Sequence, residues 1–154
     1  MTRLVKIELD DAGLPPPTPE IEQERKVALF DLLEENAFVP VNGPDGPFHL
    51  YLSIQDRRLV FDIRDEADAP VGAFHLSLSP FRQIIKDYFQ ICAAYFDAVK
   101  RLPPAQIEAI DMGRRGIHDE GSRILTERLE GKVLTDHATA RRLFTLICVL
   151  HFKG

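Results

Sequence analysis

Between residues 3 and 9, RLVKIEL, polar and apolar positions alternate, which predicts a strand with Val5, Ile7 and Leu9 on one face. The run GLPPPTP that follows is an extended connector, because each proline fixes its own φ and disfavours helix in its predecessor. Thr18–Pro19 opens a helix, with Glu20 and Glu22 placed at its positive N-terminal end. That helix presents Ile21, Ala28, Leu29, Leu32 and Leu33 and ends near Asn36. Four Gly and Pro residues in VNGPDGP (41–47) make a loop. Three alternating segments follow, FHLYLSI (48–54), LVFDI (59–63) and VGAFHLSL (71–78), with short polar connections that predict a β-meander.

From Ser79–Pro80 the period changes to helical. One helix runs to Arg101 and is stopped by Pro103 and Pro104. A second spans roughly 104–130 and is closed by Gly131, and a third begins after Thr135 or Asp136. The expectation is a single α+β domain over residues 1–154: an antiparallel meander of about four strands packed with about four helices.

Composition narrows the function classes. A chain of 154 residues with 45% hydrophobic and 28% charged residues has enough material for one core without staples. Its 24 acidic against 19 basic residues argue against nucleic acid or an anionic membrane surface as partner. The start MTRLVKIELDD is charged throughout, unlike a signal peptide, and LFTLICVLHF is about half a membrane span, so a cytoplasmic address is expected. Two cysteines, Cys92 and Cys148, sit among Ile, Ala, Leu and Val and read as buried apolar thiols. The five histidines lack metal-ligand spacing, and neither GxGxxG nor a Walker loop occurs, so no metal or cofactor is expected.

Two polar constellations are candidates for chemistry. In AIDMGRRGIHDEGSRIL (109–125), Asp111, Arg114, His118 and Ser122 fall along one edge of a helical apolar stripe, with Arg115 beside them. Gly113 and Gly116 weaken the helix there, and a break would free backbone N–H groups beside two arginines. Arg114, Arg115, His118 and Ser122 are then an anion site, tightened by protonation of His118. The alternative is an internal network in which Asp111, Asp119 and Glu120 neutralise the arginines. Gly121 lies on the stripe itself, where a missing side chain lets another element come close. The second candidate is the outer face of the meander. Pairing Ile54 with Leu59 and Phe61 with Leu76 would align Tyr51, Asp62 and His75 across three strands, a carboxylate orienting an imidazole.

The segments PPPTPEIEQERKVALFDLLEEN, AIDMGRRGIHDEGSRIL and TARRLFTLICVLHF resemble a small bacterial family known only by number, uncharacterised protein family 0262. The resemblance spans nearly the whole chain and implies a stand-alone bacterial cytoplasmic protein; it implies no reaction, cofactor or catalytic residue. Function therefore rests on the residues. With no nucleophile–base–orienter set in view, the expected class is a non-catalytic binding or regulatory protein that recognises an anionic small molecule or a protein partner. The alternative is an enzyme acting on a phosphate or carboxylate compound, with Arg114 and Arg115 as clamp and His118 or His75 as acid or base. A homodimer is expected as well. The last helix is apolar nearly all round after Arg142, and the helix from Ser79 carries more aromatics than one stripe needs.

Overall fold

The structure is a computed structural model that describes residues 3–152. In chain order it runs β1 (Leu4–Leu9), α1 (Pro19–Glu34), β2 (Phe38–Pro40), β3 (Phe48–Gln55), β4 (Arg58–Arg64) and β5 (Pro70–Ser77). A 3-10 turn at Ser79–Phe81 leads into α2 (Arg82–Arg101), followed by α3 (Pro104–Leu129), β6 (Val133–Thr135) and α4 (His137–Val149). This is an α+β fold. The main sheet has the order β1-β3-β4-β5, and its β3-β4-β5 part is the antiparallel meander. β1 joins β3 in parallel, which the long intervening passage through α1 and β2 permits.

Local chemistry sets the ends of the helices. Thr18 Oγ1 accepts from the Ile21 N–H at 3.2 Å, and Asp136 Oδ1 accepts from the Thr139 N–H at 2.8 Å, each holding an otherwise orphaned first-turn donor. After α1, the Asn36 carboxamide accepts from Leu4 N (2.7 Å) and donates to Leu4 O (2.9 Å). It stands in for a neighbouring strand at the edge of β1, which would otherwise present free backbone groups.

Three departures from the sequence reading have clear causes. Leu4, Ile7 and Leu9 are buried in β1, but Val5 is 38% exposed, because pairing passes from Leu4↔Phe48 directly to Lys6↔His49 and leaves Val5 as the extra residue of a bulge. β2 and β6 form a two-stranded ladder, Val39 opposite Leu134, whose three residues apiece are too few for a periodic signal. Finally, the register of β4 and β5 is displaced by two residues from the predicted one. Phe61 pairs with Phe74, and Asp62 faces Ala73 rather than His75, which pairs with Val60. The cause is the turn: Asp65 accepts backbone N–H bonds from Ala67 and Ala69 through Oδ1 (2.9 Å each) and from Asp68 through its carbonyl, while a bulge lies between Ile63 and Arg64. A shift of two preserves the faces, so Leu76 is buried and Phe74 stacks on Phe61 at 5.0 Å.

The core lies between the sheet and the helices. α4 is its centre, with Leu143, Phe144, Leu146, Ile147 and Cys148 fully buried under α1, α2 and α3. The cover demanded by its all-round apolar pattern comes from its own chain, so α4 offers no reason for a second copy.

Candidate functional site

α3 is one unbroken helix through Gly113 and Gly116, so the break that would have freed backbone donors does not occur. The predicted edge is nevertheless partly to fully buried, and Asp111, Arg114, Arg115 and His118 meet along it, whereas Ser122 bonds His137 instead. Arg114 donates to Asp111 Oδ1 from Nε (3.1 Å) and Nη2 (2.8 Å), faces Glu24 of α1 across 3.7 Å, and lies 4.5 Å above the Tyr95 ring. Arg115 reaches the other oxygen of Asp111 at 2.8 Å, with two-thirds of its side chain in solvent. Of the carboxylates expected as partners, only Asp111 serves these arginines; Glu24, distant in sequence, is the second. Asp119 instead meets His137 (3.2 Å) and Arg141 (3.6 Å), and Glu120 bonds Arg123.

Ser122 is fully buried at the α3–α4 junction. Its Oγ lies 3.1 Å from both the carbonyl oxygen and Nδ1 of His137, whose Nε2 faces Asp119. Serine, imidazole and carboxylate are thus in a row, but a hydroxyl with no exposure cannot reach a substrate carbonyl. The row ties α3 to the start of α4.

His118 is buried too, and its Nδ1–H donates to the Arg114 carbonyl at 2.7 Å, edge-on to Tyr88 and Phe144. Burial pushes its pKa down, opposed by the Arg114 carbonyl and Glu24 and assisted by the positive charges of Arg141 and Arg114. The imidazole is therefore uncharged at neutral pH, and its protonation needs more acid than the pH near 6.5 expected for a free histidine. The unfolded chain takes up this proton near pH 6.5, whereas the folded chain does so only at lower pH. Stability is then expected to fall as pH drops below about 6.5, by up to about 1.4 kcal/mol per pH unit, and to level once the native imidazole protonates. Urea midpoints above and below that pH, compared with those of His118→Gln, check this; an equal loss in both proteins refutes it.

On the outer face of the sheet, Tyr51 does face Asp62, and His49 faces Arg64, as read from sequence. Asp62, however, is held by Arg64 (Nη2, 3.0 Å), while the acceptor for Tyr51 is Asp68 in the β4–β5 turn (2.6 Å), which also meets His49 Nδ1 at 3.3 Å. The Tyr51 and His49 hydrogen bonds hold the Asp68 carboxyl below its usual range. Asp68 has φ +66, a conformation in which Asp is among the more tolerant residues, and nothing in the linear pattern points to it. The row Tyr51–Asp62–His75 does not form.

A sizeable cavity lies elsewhere. A groove of about 1070 Å³ opens between the start of α1, the face of α2, the β3–β4 turn and the segment at His151–Phe152. Its walls are mostly apolar, with Ile21, Ile85, Phe89 and Phe96 prominent and Cys92 among them. This accounts for the aromatic excess of α2: Tyr88 faces the core, while Phe89 and Phe96 are only partly covered and line the groove. Cys92 is 1% exposed, and its Sγ lies 3.7 Å from Glu24 Oε1, to which Tyr88 also donates (3.1 Å). Burial and the Glu24 charge push its thiol up to about 12, so it stays protonated and is a poor nucleophile at neutral pH.

The rim of the groove is charged. Lys100 is paired with Glu20 (3.9 Å) and Asp97 with Arg101, whereas Arg57, Arg82 and Lys86 have no ion pair among the described residues. Asp56 and Arg57 form a two-residue turn with φ +52 and +62, the primed geometry that favours Asn-Gly. An arginine in this conformation costs backbone energy that a glycine would not, and strain of this kind accumulates where a side chain must be presented. The pairing Arg58↔Ser77 sets that turn, with Asp56 and Arg57, beside the start of α2, where Arg82 and Lys86 line the same groove.

The model of an uncharacterised protein family, UPF0262, matches residues 1–153. The chain belongs to this family. UPF0262 proteins of Roseobacter denitrificans and of a Ruegeria species are 68% and 67% identical to it, and the alignments cover the whole of both chains in each case. That of a Jannaschia species is 67% identical over 99% of each chain. No solved structure matches this UPF0262 chain. No helix of the described residues is long and apolar enough to cross a membrane.

Proposed function

We propose that this UPF0262 protein is a non-catalytic binding protein that takes up a small anionic molecule in the groove between α1, α2 and the β3–β4 turn. The observation that carries this reading is the pairing of a large, mostly apolar cavity with three cations, Arg57, Arg82 and Lys86, that have no carboxylate partner among the described residues. A concave apolar site with a few convergent polar groups is the usual form of a small-molecule site. The charge of the ligand is met at this rim rather than at Arg114, whose guanidinium is already engaged by two carboxylates and an aromatic face.

The enzyme reading has less support. His118 donates to a backbone carbonyl, His75 stands away from Asp62, and the thiol in the groove is protonated. A panel of carboxylates and phosphates at millimolar concentration, read by thermal shift, tests the proposal. The expected result is a raised melting temperature with at least one of them, lost on Arg82→Glu and Lys86→Glu. If no anion in the panel stabilises the protein, the groove is not an anion site.

A further inference from the structure

We infer that the ligand is an anionic single-chain amphiphile: a carboxylate head bearing one unbranched alkyl tail. The inference rests on the groove reading above and adds the shape and polarity of its occupant. Along α2, the residues that line the groove change character in one direction. Arg82 and Lys86, four residues apart on one helix face, stand at the N-terminal end, beside Arg57 of the turn. Phe89, Ala93 and Phe96 continue the same face, and Lys100, beyond them, is neutralised by Glu20. The sequence of environments is therefore cationic, apolar, then closed by an ion pair.

A bare oxyanion would fill only a small part of about 1070 Å³, at or above the top of the range for drug-sized ligands. Phe89 and Phe96 are seven residues apart, about 10 Å along the helix axis, and Ala93 between them leaves a dip bounded by two rings. Phe152 packs against Phe89 at 6.1 Å and walls the other side. A slender flexible chain fits a slot of this kind. The head belongs at Arg57, Arg82 and Lys86, where the positive end of α2 adds to their attraction for an anion.

The test is titration of the purified protein with a homologous series from acetate through octanoate to dodecanoate, below micelle formation, followed by calorimetry. Affinity is expected to rise roughly fourfold per added methylene until the slot is full, as burial of each methylene contributes about 0.8 kcal/mol. Ala93→Trp fills the dip at an exposed helical position, and is expected to abolish the dependence on tail length while the fold, checked by circular dichroism, is retained. Arg82→Glu is expected to weaken every member of the series at least tenfold. Equal affinity for acetate and dodecanoate would overturn the tail and leave the anion site standing; no binding by any anion overturns both. Tail-dependent affinity unchanged in Ala93→Trp means adventitious detergent-like binding. Capture by anionic phospholipid vesicles with no affinity for monomeric dodecanoate makes the groove a membrane contact instead. Either outcome overturns the inference.

Discussion

Gly121→Ala is expected to destabilise the protein by about 2–3 kcal/mol, a fall in melting temperature of roughly 5–10 °C for a domain of this size. At most helical positions the same change is stabilising by up to about 1 kcal/mol, since alanine costs less backbone entropy. Here the sign inverts. A Cβ at residue 121 would lie 2.4–2.5 Å from three atoms of the Phe144 ring. The ring has nowhere to retreat: it is fully buried and set edge-on to Tyr88 at 6.1 Å and to His118 at 6.4 Å. α3 would have to move away from α4, which the Ser122–His137 contacts oppose. Gly116 supplies the control on the same helix, because a Cβ there meets nothing within 4 Å, and Gly116→Ala is expected to stabilise. Thermal or urea unfolding of the two variants checks the contrast. Stabilisation of similar size in both would show that α3 and α4 are not in close contact at Gly121.

Gly121 is also an instance of what could be read before the structure. A glycine on an apolar stripe predicts close approach whatever the partner, because the argument needs only the helical period. The same holds for the caps at Thr18 and Asp136, for the three strands of the meander, and for the first hairpin, whose two-residue turn leaves little freedom of register. The second hairpin departs from its expected register because its turn is set by Asp65 hydrogen bonds and a bulge, and a face pattern of period two is the same for registers that differ by two residues. The dimer expectation rests on a similar ambiguity. An all-round apolar helix calls for cover on several sides, but the pattern does not say whether the cover comes from the same chain.

The candidate site was the least readable part. The helical wheel found the edge Asp111–Arg114–His118–Ser122, yet the residue that decides its electrostatics, Glu24, is ninety positions upstream on α1. The groove draws on α1, α2, the β3–β4 turn and the end of the chain, so no single segment carries its signature. One signal was available: α2 holds more aromatics than one core-facing stripe requires, and the surplus lines the groove. A partner chain and a cavity wall both call for a pattern of this width, and here Phe89 and Phe96 line the groove.

Arg114→Ala is expected to cost about 2–3 kcal/mol of stability while leaving the thermal gain from a groove ligand intact. Removing the guanidinium strips a cation from two carboxylates, Asp111 and Glu24, whose side chains are only 16% and 15% exposed, and uncovers the face of Tyr95. The loss falls short of the roughly 3–5 kcal/mol seen when a fully buried pair is broken, because water reaches part of this cluster. Glu24→Gln in the Arg114→Ala background is expected to recover part of the loss, since the amide oxygen still accepts from Tyr88 and the unpaired charge is gone. Arg114→Lys is expected to recover little, as an ammonium can neither reproduce the two-nitrogen contact with Asp111 nor stack on the ring in the same way. Unfolding of the four proteins, each with and without dodecanoate, separates the internal network from the anion site that the sequence first suggested for these residues. In the network, Arg114→Ala lowers stability equally with and without ligand. The opposite pattern, native stability unchanged and the ligand gain lost, would move the anion from the α2 rim to α3.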